Sequence, residues 1–276
     1  MDSDRRKFLV GAGAAAAGAA VLSLSSGLLT PVNAQELAGN STSTSSSTTT
    51  EGTPLTQRRY VFAIDLDTCN GCQKCTQGCQ TEMQCPPTWG GEVGYAGRQS
   101  WIQVFDLGNG TFMPVPCQNC QDAPCAKVCP VGATFYSADS INMIDQDRCI
   151  GCRYCIVACP YERRFFNWED PPVYADDANL TYSPTTNTPH RQGVAEKCIW
   201  CAHRVGKGDI PACVESCSTA GMGALWFGDA AQDVVSNGKT TQPLSALIKD
   251  RGAYHLKEEL GTLPQVLYLP PRGSTG

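Results

Sequence analysis

The chain has 276 residues, 17% of them charged, and a formal net charge of −5. A charged fraction below the roughly 25% of ordinary soluble chains, with acidic residues in excess, excludes a basic surface for nucleic acid. With 27 glycines, 18 prolines and 17 cysteines, few long amphipathic helices are visible.

The N-terminus reads MDSDRRKFLVGAGAAAAGAAVLSLSSGLLTPVNAQ. Arg5 and Arg6 precede Phe8 and Leu9, a weakly apolar Gly/Ala-rich run, and the small-residue site Val32-Asn33-Ala34. Residues 1–34 resemble a twin-arginine export signal cleaved after Ala34. Two positions depart from the usual pattern: Asp4, where Ser or Thr is common, and Val10, where Lys is common. The alternative is an uncleaved anchor, because residues 8–29 are long enough to span a bilayer. Ala and Gly are poor substitutes for Leu and Ile in such a span. Residues 35–57 follow as a linker centred on GNSTSTSSSTTTEGTP (39–54), which has nothing to bury.

The strand-like YVFAIDLD then leads into CNGCQKCTQGC, with Cys69, Cys72, Cys75 and Cys79. Cys85, in MQCPP, is left over from the motifs and reads as a buried or loop thiol. WIQVFDLGNGTFMPVP (101–116) alternates on both sides of Gly-Asn-Gly and predicts a hairpin. CQNCQDAPCAKVCP follows, with Cys117, Cys120, Cys125 and Cys129, and ATFYSADSINMID (133–145) predicts a second hairpin. The third motif, CIGCRYCIVACP, holds Cys149, Cys152, Cys155 and Cys159 with Pro160 directly after. The fourth, CIWCAHRVGKGDIPACVESC, holds Cys198, Cys201, Cys213 and Cys217.

The third motif is the C-x2-C-x2-C-x3-C-P run in which three thiolates bind one iron–sulfur cube and the fourth reaches a second. Three cysteines on a tight loop can aim at three corners of one cube. The fourth leaves on a helix and points elsewhere. Gly151, lacking a Cβ, lets backbone N–H groups approach sulfur. The first motif repeats this pattern: D-T-C-N-G-C-Q-K-C aligns with D-R-C-I-G-C-R-Y-C, each after a strand. The unit is strand, cluster loop, short helix, and it is the bicluster ferredoxin module used twice. Sixteen of the cysteines form four groups of four, the stoichiometry for four [4Fe–4S] clusters. Folding is then expected to depend on the metal. Zinc also uses C-x2-C pairs, but usually two separated ones. Disulfides would spend their cross-links on tiny loops.

Arg163 and Arg164 follow the third motif, as charges that either raise a cluster's potential or face solvent or a partner. Tyr154 and Trp200, inside motifs, are expected to keep water from the clusters. His203, two residues past Cys201, is a weak alternative ligand, since all sixteen thiols are present. No glycine-rich dinucleotide fingerprint, G-x-S-x-G or phosphate loop appears, and the three histidines, His190, His203 and His255, suggest no acid–base site.

The four motifs in this order, with C-x2-C-x11-C-x3-C last, resemble the iron–sulfur subunit of the dimethyl-sulfoxide, polysulfide and tetrathionate reductase family. The resemblance covers about residues 58–270 and includes RFFNWEDPP, PACVESC, LWFGD and LGTLPQVLYLP. Ser218 stands where the family has proline after the fourth motif, which should alter a helix start and leave ligation alone. The resemblance implies a wiring. Cys69, Cys72, Cys75 and Cys217 hold a first cluster, and Cys79, Cys198, Cys201 and Cys213 a second. Cys117, Cys120, Cys125 and Cys159 hold a third, and Cys129, Cys149, Cys152 and Cys155 a fourth.

The expected fold is α+β, two ferredoxin-like bicluster modules in one globular body. Residues 58–228 form it, with 58–114 and 186–228 as one lobe and 115–185 as the other. Residues 229–276 read as a C-terminal extension. The resemblance implies a non-catalytic electron-transfer subunit that links a molybdopterin catalytic subunit to a polytopic quinol-interacting membrane subunit. The first cluster would lie towards the catalytic subunit and the fourth towards the membrane one. A second reading pairs the same wire with a multihaem cytochrome or sulfur-metabolism partners. A third is an exported zinc- or disulfide-stabilised binding protein. The expected place is the periplasmic or extracytoplasmic face of the cytoplasmic membrane. The chain would cross already folded around its clusters and touch the membrane only through a partner.

Overall fold

The computed structural model describes residues 58–89, 94–172 and 181–272. The chain divides into two units, Met1–Thr50 and Glu51–Gly276, and every described residue belongs to the second. The export signal and the Ser/Thr linker lie outside the described residues.

In chain order the first elements are β1 (Tyr60–Asp65), α1 (Lys74–Glu82), the ribbon β2 (Gly94–Tyr95) and β3 (Arg98–Gln99), and the hairpin β4 (Gln103–Asp106) and β5 (Phe112–Val115). Next come α2 (Pro124–Lys127), the hairpin β6 (Thr134–Tyr136) and β7 (Asn142–Ile144), α3 (Tyr154–Val157), and the pair β8 (Phe165–Phe166) and β9 (Ala195–Glu196). The chain then forms α4 (Ala202–Val205), α5 (Ala212–Thr219), β10 (Leu225–Asp229), β11 (Val234–Ser236), β12 (Thr241–Gln242), α6 (Leu244–Ile248) and β13 (Val266–Leu269). Both hairpins fall where the alternation around Gly-Asn-Gly and in ATFYSADSINMID puts them. Both strand–loop–helix repeats are present as well, β1 before α1 and β7 before α3.

One five-stranded sheet, ordered β12-β11-β10-β1-β13, organises the body. Strand β1 is its fourth strand and is buried along its whole length. Its sequence YVFAID is apolar on both faces, as a strand covered from both sides must be. Phe62 stands opposite Phe227 on the antiparallel neighbour and Val266 on the parallel one. Alternate side chains then feed two separate cores. Tyr60, Phe62 and Ile64 face a cluster that includes Cys75, Cys79, Trp200, Cys213 and Cys217. Val61 and Ala63 face another, with Trp226, Leu244, Leu247 and Leu269. The sheet is thus clad by cysteine-bearing helices on one side and by α6 on the other. Residues beyond 228, expected as an extension, supply three strands of this sheet, β11, β12 and β13.

Helices α1 and α5 pack against each other, and α2 touches α3. The first crossing is close because residue 78 is glycine: a Cβ there would lie 2.0 Å from Ser216 Oγ. A further core, around α2 and α3, gathers Cys120, Cys125, Ile144, Cys155, Tyr161 and Phe166. Ser218 lies inside α5 and is buried, so the departure from proline extends a helix and starts none. Among the described residues, no helix is long and apolar enough to cross a membrane.

Candidate metal centres

Each motif opens with C-x-x-C, and in all four loops the residue before the second cysteine has a positive φ. These are Gly71 (74°), Asn119 (45°), Gly151 (69°) and Trp200 (53°). A left-handed residue in such a turn makes successive N–H groups converge, the concavity that suits anions and iron–sulfur sites. Glycine is required at two of these places for a second reason. A Cβ on Gly151 would sit 2.2 Å from the Gly193 carbonyl oxygen, and one on Gly71 would sit 2.5 Å from the Phe112 ring. The sequence signalled the glycines. Asn119 is of a type that tolerates a left-handed turn, whereas nothing in the residue type signalled Trp200.

Backbone donors do reach the sulfurs. Ala133 N–H donates to Cys129 Sγ (3.2 Å), Trp200 N–H to Cys198 Sγ (3.4 Å) and Ala195 N–H to Cys149 Sγ (3.5 Å). Burial opposes ionisation of Cys129, yet the N–H groups of Thr134, Val131 and Ala133 outweigh it and lower that thiol below its ordinary value. Most of the others go the opposite way. Burial pushes the Cys120 and Cys198 thiols up to about 12, with neighbouring thiols adding to the rise. Burial likewise raises Cys69, Cys155 and Cys159, and raises Cys75, Cys201 and Cys213 more strongly. So many buried thiols can ionise together only when metal supplies the opposing charge.

The thiols are not scattered through the interior. Cys69 lies within electrostatic reach of Cys217 and Cys72, and Cys75 of Cys217 and Cys69. Cys201 is beside Cys79 and Cys198, and Cys213 is beside all three. Cys120 is beside Cys117, Cys125 and Cys159. Cys155 is beside Cys149, and Arg164 acts on both Cys155 and Cys129. Cys152, like Cys72, is exposed. Electrostatic influence also runs between the neighbourhoods in a fixed order. Cys213 reaches Cys75, Cys198 reaches Cys117, and Cys155 reaches Cys125. Helix α1 carries Cys75 and Cys79 while α5 carries Cys213 and Cys217, which explains how motifs one and four meet.

All seventeen cysteines are free thiols. Among the described residues, no three or more His, Cys, Asp or Glu side chains are grouped to hold a single metal ion. Four sulfurs around one zinc would stand only about 3.8 Å apart, given Zn–S bonds of about 2.3 Å in a tetrahedron. The donor set, cysteine throughout with backbone N–H groups turned to sulfur, fits iron–sulfur clusters.

Several neighbours differ from the sequence expectation. Tyr154 is 63% exposed and shields nothing, whereas Trp200 is 1% exposed and donates its indole N–H to the Cys117 carbonyl (3.0 Å). Arg163 and Arg164 are both buried, so neither is a solvated charge. His203 meets Glu82 Oε1 through Nε2 at 2.7 Å and belongs to an ion-pair network with Arg204 and Glu215. Cys85 is fully buried, with its Sγ bonding the Cys79 carbonyl at 3.8 Å. Sequence reasoning passed over Glu196 and Lys197, buried ions directly before Cys198. Glu196 accepts from Gln146 and Asn167 and meets His190, while Lys197 donates to the carbonyls of Asn142 and Cys198. Together they pin the start of the fourth motif.

A family model described as a 4Fe–4S dicluster domain matches residues 109–176 and 180–229. Over 78% of its length the chain is 38% identical to a selenate reductase subunit of Mesobacillus selenatarsenatis, covering 73% of that protein. It is 37% identical to a putative dimethyl sulfoxide reductase iron–sulfur subunit of Halobacterium salinarum, over 79% of this chain and 81% of that one. The chain belongs to this family of reductase iron–sulfur subunits. A tetrathionate reductase subunit of Salmonella typhimurium aligns with 98% of the chain and 89% of its own length at 35% identity. As a member, the chain carries electrons on 4Fe–4S domains and is not the catalytic subunit.

Proposed function

We propose that the chain is a wire of four [4Fe–4S] clusters in line, serving a molybdopterin reductase. Cys69, Cys72, Cys75 and Cys217 hold the first cluster, and Cys79, Cys198, Cys201 and Cys213 the second. Cys117, Cys120, Cys125 and Cys159 hold the third, and Cys129, Cys149, Cys152 and Cys155 the fourth. The observation that carries the reading is the ordered electrostatic influence between thiol groups, one to two to three to four. The first motif lies before the matched family domain, yet its loop has the same left-handed turn as the other three. Residues 58–114 with 186–228 form one lobe, and 115–185 the other.

Each cluster, when bound, supplies a site that takes and gives one electron. The chain's own residues bind, orient and insulate. The thiolates fix position, the loop N–H groups favour anionic sulfur, and Trp200 closes the space between the second and third groups. The two exposed thiols, Cys72 and Cys152, belong to the first and fourth groups, the two ends of the series. Around the fourth, Ile150, Tyr154 and Val157 are exposed, and so are Val128 and Val131 beside the touching helix α2. That apolar end suits a membrane protein that exchanges electrons with quinol, and the first end suits the catalytic subunit. The twin-arginine-like N-terminus supports action on the extracytoplasmic side of the membrane, after export in the folded state.

The test is a gentle anaerobic pull-down of the tagged chain from native membranes, with metals and partner masses measured. Molybdenum or tungsten arriving with iron and a polytopic apolar protein is the expected result. Haem without molybdenum would replace the catalytic partner by a multihaem cytochrome. A colourless, iron-free chain purified without oxygen would refute the wire altogether, since cubanes absorb broadly in the visible and zinc proteins do not.

A further inference from the structure

Arg163 and Arg164 are adjacent in sequence and lead into β8, and successive side chains of an extended segment point opposite ways. Arg163 is largely satisfied on its side, with Nη1 alone left without a partner. It donates to the Tyr161 carbonyl (3.0 Å) and to Gln103 Oε1 (2.8 Å), and it lies 5.5 Å over the Phe105 ring. Arg164 is not. It is buried, and none of its three guanidinium nitrogens has a hydrogen-bond partner of ordinary geometry. The groups that act on it most are the thiols of Cys125, Cys155 and Cys117, and Cys129 feels it in turn. These four residues come from two proposed ligand sets, the third and the fourth.

An uncompensated guanidinium in a closed interior is strongly unfavourable, and Arg cannot shed its proton to escape. Lys197, another buried cation beside a motif, differs because its ammonium is spent on two carbonyl oxygens. Arg164 makes physical sense only beside anions. A cube with four thiolate ligands is anionic when oxidised and gains one more negative charge when reduced. A fixed cation therefore favours the reduced form.

We propose that Arg164 is a positioning charge shared by the third and fourth cluster sites, which raises the reduction potential of both. The inference rests on the ligand sets given above. Reduction adds one electron to a cluster and moves no proton at Arg164, which is charged in both states.

The experiment is an anaerobic redox titration of the whole iron-loaded chain, followed by electron paramagnetic resonance, on the parent, Arg164→Met and Arg164→Lys. In Arg164→Met, two of the four potentials should fall by at least a tenfold change in the reduction equilibrium, about 59 mV for one electron. The other two should hold, and Arg164→Lys should keep the parental values. Four unmoved potentials, or four that move equally, would overturn the proposal. If Arg164→Met fails to assemble, the lysine variant decides. Full iron with parental potentials supports the charge. Lost iron or a lowered pair shows that shape matters instead. A parent without iron would remove the ligand reading first and this inference with it, whereas a four-cluster parent with an indifferent Arg164→Met removes this inference alone.

Discussion

Replacing Gly78 by alanine tests the helix crossing on which the first two cluster sites depend. The added Cβ would lie 2.0 Å from Ser216 Oγ, 2.6 Å from Ser216 Cβ and 3.1 Å from the Ala212 carbonyl oxygen. Turning the hydroxyl away relieves the first contact only. The other two require α1 and α5 to separate. Overpacking of this kind costs about 1–3 kcal/mol, and alanine's better helix propensity returns at most about 1 kcal/mol. A net loss of about 1–2 kcal/mol corresponds to a melting temperature lower by about 2–8 °C for a domain of this size. Because α1 carries Cys75 and Cys79 and α5 carries Cys213 and Cys217, iron should fall towards half. The sites of motifs two and three should survive. Iron per chain and thermal loss of visible absorbance measure both effects. Adding Ser216→Gly should restore most of the stability. A Gly78→Ala chain that keeps full iron and melts with the parent would refute the described crossing, and failure of the second substitution to rescue would refute the clash as its cause.

Gly151→Ala forces an L side chain into φ 69° with its Cβ 2.2 Å from the Gly193 carbonyl oxygen. It should cost the chain one cluster, seen as the loss of about a quarter of its iron, and retention of all four would count against the loop geometry. Trp200→Phe keeps an aromatic ring near Phe62 and Phe227 but deletes the N–H that satisfies the Cys117 carbonyl. A loss of about 1–3 kcal/mol is expected in denaturant titrations, and a change under about 0.5 kcal/mol would contradict it. Burial raises the Glu82 carboxyl, but His203 and Arg204 outweigh burial and hold it below its usual 4.5. Its stabilising effect is therefore present above that pH and lost as pH falls through the lower folded value. Glu82→Gln should be less stable than the parent near neutrality and converge with it in acid; parallel curves down to about pH 3 would dismiss the ion pairs as a source of stability.

What the sequence made legible was chemistry with a fixed local spacing. The four cysteine runs, the repeat of Asp67–Cys79 in Asp147–Cys159 and both hairpins follow from residues a few positions apart. The meeting of motifs one and four was available only through family resemblance, because α1 and α5 lie far apart in sequence and their contact is tertiary. The same holds for the sheet. YVFAID reads as a strand, but nothing local says that its neighbours are Leu225–Asp229 and Val266–Leu269. Side-chain environment was the least legible. For Arg163 and Arg164 the sequence left a cluster-tuning and a surface reading equally open until the fold enclosed them, and Tyr154 looks like shielding until its helix turns it outward.

The placement of β13 beside β1 has a consequence for how the chain is made. Strand β1, the first among the described residues, must wait for β13 before its parallel edge is covered. At about 5–20 residues per second, synthesis of the intervening roughly 200 residues takes on the order of 10–40 s. Through that interval the first four thiols have no closed interior to enter. The first two proposed sites, which need Cys198, Cys201, Cys213 and Cys217, are therefore completed late in synthesis, whereas the ligands of the other two lie within residues 117–159 and emerge earlier.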